Sequence, residues 1–334
     1  MRRYQIGRCP PRSDLGPNAG FSRSSLSLGR KAATFASPHG GAELTPLTMS
    51  PNHQIVVSAE NNAYMGWQCK LFYYSCVTRM NHQPIIIVHD AGTDWHPDFH
   101  DLAKAGCSIY SAPGYRTNAM GDEYAPRNTA GSLIRAAALF AGQDVLIVLC
   151  DPDMIFARAA EFPEVLSGDF ITYMNYDRDF VSDALRELGM NRAQLEPQKD
   201  SLRCGVPYIV PITEAYALGT TWLEAVEAFP RRRWEDIMYA FGLAVVKLGL
   251  KLSVTHLSDH NYWPAEKVSA PMIHYAYGDE RWTKRTFFTD EQVRELWSPG
   301  LAAPAGTILG EILGQIREAR EFYRDAYFPT TIRG

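Results

Sequence analysis

The 334-residue sequence has six cysteines but no C-x-x-C pair among them. Cys9, Cys69, Cys76, Cys107, Cys150 and Cys204 are scattered, and several fall inside apolar segments. That excludes a zinc knuckle and a disulfide framework, and predicts buried thiols of a reducing compartment. No stretch approaches 18 uninterrupted apolar residues, so no membrane span is expected. Basic charge is not in excess, with 33 Lys and Arg against 37 Asp and Glu for a net charge of −4. A field of that sign does not wrap nucleic acid. No G-x-G-x-x-G follows the first strand-like segment, which sets aside a dinucleotide enzyme of the usual kind. Internal repeats are missing, and no Pro/Ser-rich linker divides residues 53–290, which therefore read as one domain.

Acidic residues are scarce in one place. Residues 1–52 carry only Asp14 and Glu43, are rich in Ser, Gly, Pro and Arg, and show no sustained periodicity. Such a composition buries too little apolar surface to offset the entropy of ordering. An unordered N-terminal extension is expected, with Met49 as the native start; a transit-like presequence is the alternative. The remainder is ordinary for a globular protein, with 46% hydrophobic and 21% charged residues over the whole chain.

From His53 onward, strand and helix patterns alternate. Ile55–Ser58, Pro84–His89, Ser108–Tyr110 and Val145–Cys150 read as strands, with helices over Tyr64–Arg79 and Ser132–Phe140 between them. That order predicts an α/β, Rossmann-like sheet. In the second half, strands are expected at Phe170–Met174, Val206–Val210, Leu252–His256 and Met272–Ala276. Helices are expected at Glu214–Ala228 and Glu235–Lys247, and a polar helical tail on the surface over 291–334.

The most informative stretch is Val145-Leu-Ile-Val-Leu-Cys-Asp151-Pro-Asp153-Met-Ile-Phe156. A short continuous apolar run reads as a strand buried on both faces, and open α/β sheets bind ligands beyond the carboxyl ends of such strands. Two acids placed there are costly unless their charge is compensated, which a divalent cation with oxygen ligands does. Such a cation keeps positions open for substrate phosphates, so Asp151 and Asp153 are candidate ligands of a metal–diphosphate site. A polar turn closing the strand is the simpler alternative.

Three clusters could complete that site. His274-Tyr-Ala-Tyr-Gly278 is followed by Arg281, Lys284 and Arg285. The imidazole of His274 can add a nitrogen ligand to manganese, and the cations can neutralise a pyrophosphate leaving group. A core histidine followed by a solvated basic loop is the plain alternative. In Arg231-Arg-Arg-Trp-Glu235-Asp236, the adjacent acids suit a helix N-terminus, or else a sugar hydroxyl or a base role. In Tyr124-Ala-Pro-Arg127-Asn128, a cation and an amide before a helix suit an anion or a sugar, although an asparagine cap explains them too.

Over residues 55–288 the chain resembles the plant hydroxyproline O-arabinosyltransferases and the related peptidyl-serine galactosyltransferases. The resemblance runs through Asn62–Tyr74, Tyr124–Asn128, Asp151–Phe156, Trp234–Ala240 and Pro271–Gly278, in the family's order. It implies a GT-A fold, with a mixed sheet flanked by helices, over 53–290. It also implies transfer of a pentose or hexose from a UDP-sugar to a hydroxyl acceptor, with retention, using Mn2+ or Mg2+. On that likeness Asp151, Asp153 and His274 hold the metal, and Lys284 contacts the diphosphate. Ser58, Arg127, Asn128 and Asp151 contact the donor, and Glu235 and Asp236 are the catalytic candidates. The acceptor is a peptide, a glycan or a lipid-linked glycan. The plant enzymes are membrane-anchored in the secretory pathway, whereas here a soluble, cytoplasmic protein is expected, with the secretory pathway as the alternative. A non-catalytic sugar-binding module and a phosphotransferase of the haloacid-dehalogenase kind are the rival readings. The latter carries its Asp-x-Asp on the first strand, and this chain carries it on about the fourth.

Overall fold

Apolar residues run almost unbroken at 55–57, 85–88 and 146–150, and each run forms an inner strand of one sheet, as burial on both faces requires. The computed structural model describes residues 53–90, 94–229, 233–260, 266–297 and 300–327. The expected N-terminal extension, Arg231 and Arg232 lie outside these residues.

The first half of the chain forms β1 (His53–Glu60), α1 (Ala63–Ser75), β2 (Ile85–His89), α2 (Pro97–Lys104), β3 (Ser108–Ala112), α3 (Arg127–Leu139) and β4 (Leu146–Cys150). Then follow β5 (Met154–Phe156), β6 (Ser167–Phe170), α4 (Asp179–Glu187), β7 (Cys204–Pro211), α5 (Ile212–Glu227) and α6 (Asp236–Lys247). The last elements are β8 (Ser253–Thr255), β9 (Ser258–His260), β10 (Met272–His274), α7 (Asp290–Leu296) and α8 (Ile308–Tyr327).

Seven strands lie in the order β3-β2-β1-β4-β7-β6-β8. The four from β3 to β4 are mutually parallel, β7 is antiparallel to β4 and β6, and β8 is parallel to β6. The fold is thus α/β with a mixed sheet flanked by helices. After β3 the chain returns to the other side of β1 to lay down β4, so direction reverses between β1 and β4. A crevice opens at such a reversal, at the carboxyl ends of the two strands. Their register pairs Val57 with Cys150, which sets Ser58 beside Asp151 in the chain traces. A second sheet, β5-β10-β9, stands at the end of β4.

Helix α1 begins where Asn62 accepts a hydrogen bond from the Met65 amide at 2.9 Å. It packs against β1, β5, α2, α7 and α8, and every residue from Gly66 to Ser75 is buried, so it carries no polar stripe. Lys70 is tolerated there because its ammonium pairs with Asp98 at 3.1 Å and Asp101 at 3.0 Å.

Two elements differ from the sequence reading. The strand expected at Phe170–Met174 is instead Ser167–Phe170, after which the chain turns at Thr172 and Tyr173. The C-terminal helix is not a surface tail. Ile308, Leu309, Ile312, Leu313 and Ile316 of α8 are buried, each contributing roughly 1.5–3 kcal/mol of gross stabilisation. The Tyr323 hydroxyl donates to the Lys70 carbonyl at 2.9 Å, and the Gln315 amide donates to the Phe156 carbonyl at 2.8 Å. Its charged residues lie on the opposite face and dilute the pattern in a plain composition count. Among the described residues no helix is long and apolar enough to cross a membrane.

Candidate functional site

Beyond the carboxyl ends of β1 and β4 lies a cavity of about 350 Å3. Its walls include Ser58 and Glu60 from the end of β1, Tyr64 and Gln68 from α1, Asn128 from α3, Asp151 and Asp153 after β4, and His274 and Lys284. Aromatic side chains of Tyr173, Tyr208, Trp222, Trp234 and Tyr277 complete much of the remainder.

The acids and the histidine meet because of strand pairing. Past Pro152, the chain enters β5, which pairs antiparallel with β10 in a register that sets Met154 opposite His274. The ladder is extended by the Tyr275 amide, which donates to the Asp153 carbonyl at 3.0 Å. The His274 Nε2 thereby comes within 3.3 Å of Asp153 Oδ1. Ligating atoms of Asp151, Asp153 and His274 all lie within 4.8 Å of one another.

Lys284 arrives by a chain reversal. Gly278 bridges to Thr283, and a Cβ at Gly278 would sit 2.2 Å from the Trp282 carbonyl oxygen, so no larger residue fits there without a shift. Trp282 packs on Tyr275, and the indole of Trp67 donates to the Phe287 carbonyl at 3.1 Å, anchoring the loop. The Lys284 ammonium then donates to Asp153 Oδ2.

These neighbours split the properties of the two acids. Burial raises the Asp151 pKa and the Asp153 charge adds to it, so that it is pushed up to about 6. Burial also opposes the charge on Asp153, but the Lys284 and His274 charges outweigh it and hold that carboxyl far below its ordinary range. Burial likewise opposes charge on His274 and on Lys284, yet the Asp153 carboxylate prevails and raises both. The cluster is a closely balanced arrangement of two carboxylates against two cationic groups.

Two carboxylates and one imidazole are a donor set for Mn2+ or Mg2+. The Lys284 ammonium on Asp153 tests the fit: that carboxylate already draws a cation at the cavity wall, so a divalent ion would find charge it can share or take over. The residues fit a metal.

The structure does not bring every candidate to the cavity. Arg127 is 2% exposed and turned into the fold, where it donates to Glu227 at 2.6 Å, to Asp122 at 2.5 Å, and to the carbonyls of Arg116 and Asp122 at 2.9 Å each. It stands among its own partners and does not line the cavity. Glu235 and Asp236 also lie outside the lining, between Trp234 and Ile237, which do line it. The Asp236 carboxylate accepts from the Arg233 amide at 3.0 Å and from its guanidinium at 2.6 Å, closing the start of α6. Arg281 pairs with Asp279 at 2.6 Å, whereas Arg285 lines the cavity.

Glu60, Tyr64, Tyr173 and Trp234 line the cavity but were not singled out as site residues from the sequence. For Glu60 and Tyr64 a signal existed, since the strand-end rule that selects Asp151 applies equally to β1 and the first turn of α1. Tyr64 stacks on Phe288 with centroids 4.3 Å apart, and burial raises its phenol pKa although the Lys284 charge opposes this.

The sequence matches no protein-family model and no curated protein, so the likeness to the plant arabinosyl- and galactosyltransferases gains no support there. Among solved structures, the apo structure of WbbM, a bifunctional glycosyltransferase, is similar to this chain with a TM-score of 0.42 and 11% identity. The match covers 82% of this chain and 52% of that one, so this chain spans about half the length of WbbM. What the cavity does follows from its own residues and not from that likeness.

Proposed function

We propose that this chain is a metal-dependent glycosyltransferase that moves a sugar from a UDP-sugar to a hydroxyl acceptor. The observation that carries the reading is the cluster of Asp151, Asp153 and His274, with Lys284 on Asp153, at the carboxyl ends of β1 and β4. The three ligating side chains would hold Mn2+ or Mg2+. Bound there, the ion supplies positive charge that stabilises a departing diphosphate. Lys284 and Arg285 add fixed cations on the same wall, which suits an anionic leaving group rather than a neutral one. Ser58 and Asn128 offer hydrogen bonds to the donor beside the strand ends. The apolar and aromatic remainder of the cavity excludes water, which would otherwise compete with the acceptor hydroxyl.

Retention of configuration, which the family resemblance implies, fits the disposition of acids. An inverting transfer calls for a general base, a carboxylate or an imidazole. Among the described cavity residues the candidates are Glu60, Asp151, Asp153 and His274. Three belong to the metal cluster, and Glu60 accepts hydrogen bonds from Asn128 and Arg116 at 3.3 Å each.

The test is calorimetric titration of UDP with and without manganese, followed by UDP release from a panel of UDP-sugars. Manganese-dependent UDP binding with turnover of one donor is expected. No binding and no release across the panel would refute the reading and bring forward a sugar-binding module without transfer chemistry.

A further inference from the structure

Two exposed aromatic side chains stand together at the rim of the cavity: Tyr173 is 40% exposed and Trp234 is 52% exposed. Their rings are tilted by 52° with centroids 6.4 Å apart, and both line the cavity. Tyr173 also lines a second, open groove of about 760 Å3, so the two depressions share a wall. We infer that Tyr173, Trp234 and this groove form the acceptor site, and that the acceptor is a neutral oligosaccharide. This inference rests on the transferase reading given above.

The chemistry of the groove selects the ligand class. Its acids are Asp177, Glu196 and Asp200, and its bases are Arg178, Lys199 and Arg203, three of each, so it favours neither anion nor cation. Asn175, Ser201 and Thr172 add an amide and hydroxyls that both donate and accept, while the Gln198 amide is engaged by the backbone of Leu250 and Leu252 at 3.0 and 3.1 Å. The walls are set by cross-links: Lys199 pairs with Asp177 at 2.5 Å, and Arg192 donates to the Tyr176 carbonyl at 2.8 Å. A sugar ring has an apolar C–H face that stacks on an aromatic ring and a rim of hydroxyls that such polar groups bind. A linear glycan would stack at Tyr173 and Trp234 and leave its further residues in the groove.

A peptide finds less here. Peptide recognition uses an open strand edge or apolar pockets for side chains. The edge strands of the large sheet, β3 and β8, do not border the groove. Of the apolar residues that do, Met174 and Tyr176 are each only 1% exposed and filled into the core, which leaves Tyr173 and Pro197 at the surface and no apolar pocket for a side chain.

The test is titration of the intact protein, without nucleotide, against neutral gluco-, galacto- and manno-oligosaccharides and against serine- and hydroxyproline-rich peptides. Binding of an oligosaccharide is expected, weakened about tenfold by Tyr173→Ala and by Trp234→Ala and largely kept by Trp234→Phe. The Trp234→Ala variant should fold, because the Trp234 group that accepts internally is its carbonyl, which takes a hydrogen bond from the Tyr124 hydroxyl at 2.8 Å. Thermal melts would verify this. Binding of none of the oligosaccharides, binding insensitive to both alanine variants, or preferential binding of a peptide would each overturn the assignment. Because glycan binding is read without nucleotide, it succeeds or fails independently of manganese-dependent UDP binding, and the two readings can be told apart.

Discussion

Asp169 on β6 and Asp153 beyond β4 are almost equally buried, at 1% and 4% exposed, yet they are neutralised by different kinds of partner. Asp169 accepts from the amides of Leu257 and Ser258 at 2.6 and 3.1 Å, from the Thr255 hydroxyl at 3.1 Å, and from the Ser258 hydroxyl at 2.5 Å. Those donors come from the link between β8 and β9, so the carboxylate ties one sheet to the other. Asp153 faces the ammonium of Lys284, the imidazole of His274 and a second acid, across a cavity. Backbone donors are fixed and cannot be given up without breaking the fold, whereas side-chain cations can move to a ligand's charge. The type of partner, more than depth of burial, separates an acid that builds the protein from one that serves a ligand.

The contrast breaks first, if it is wrong, at Asp169. Asp169→Ala strands several buried donors and should cost about 3 kcal/mol or more in a denaturant titration. An unchanged midpoint would remove the structural half of the comparison. Asp153→Asn should act mainly on the ligand. It removes a charge that Lys284 and His274 favour but leaves Asp151 as their partner, so the metal-free protein should lose about 1–3 kcal/mol. Manganese-dependent UDP affinity should nevertheless fall by about 100-fold or more, as loss of a metal ligand requires. Unimpaired affinity by calorimetry would dismiss the metal role.

Much of this was legible in the chain. The parallel strands announced themselves as short apolar runs, and Asp151 and Asp153 stood out because acids end one of those runs. His274 and Lys284 could be chosen by type, but their meeting with Asp153 depends on the β5–β10 register and on the tight return at Gly278. Neither is visible in composition. Arg127 was read toward a ligand because its partner Glu227 lies 100 positions away, beyond the reach of any local pattern. Tyr173 and Trp234 were unreadable as a pair for a similar reason, since exposure of an aromatic is settled only when distant segments pack. The burial of α8 was partly legible: Ile308, Ile312 and Ile316 keep a four-residue spacing that marks one helix face.

Asp236 sharpens the comparison from the structural side, with a smaller effect. Its carboxylate is held by Arg233, and it begins α6 without lining the cavity. Asp236→Ala should therefore cost about 1–2 kcal/mol of stability, as loss of a helix-start acceptor does, and leave manganese-dependent UDP affinity within about twofold. A large fall in turnover with an unchanged melt would instead return Asp236 to the catalytic role that its sequence position first suggested.

The smallest effect belongs to His89, at the carboxyl end of β2. It sits at a strand end as the functional acids do, but its ring is closed in: Nδ1 lies 2.7 Å from the Pro113 carbonyl and Nε2 lies 2.8 Å from the Ser132 hydroxyl. A carbonyl can only accept, so Nδ1 carries a proton, and in the neutral ring that burial favours, Nε2 accepts from Ser132. Burial accordingly lowers its pKa from the ordinary 6.5, and the Pro113 carbonyl and Asp90, which act the other way, do not reverse this. A histidine held neutral in the fold binds fewer protons than the unfolded chain does. Its stabilising contribution is thus complete above about pH 6.5 and is lost as pH falls from there toward the lowered folded value. Denaturant midpoints measured across that window should decline less steeply toward acid in His89→Asn than in the parent chain. Equal slopes would mean that His89 titrates normally in the fold. It would then have to be grouped with the charged residues of the cavity rather than with Asp169.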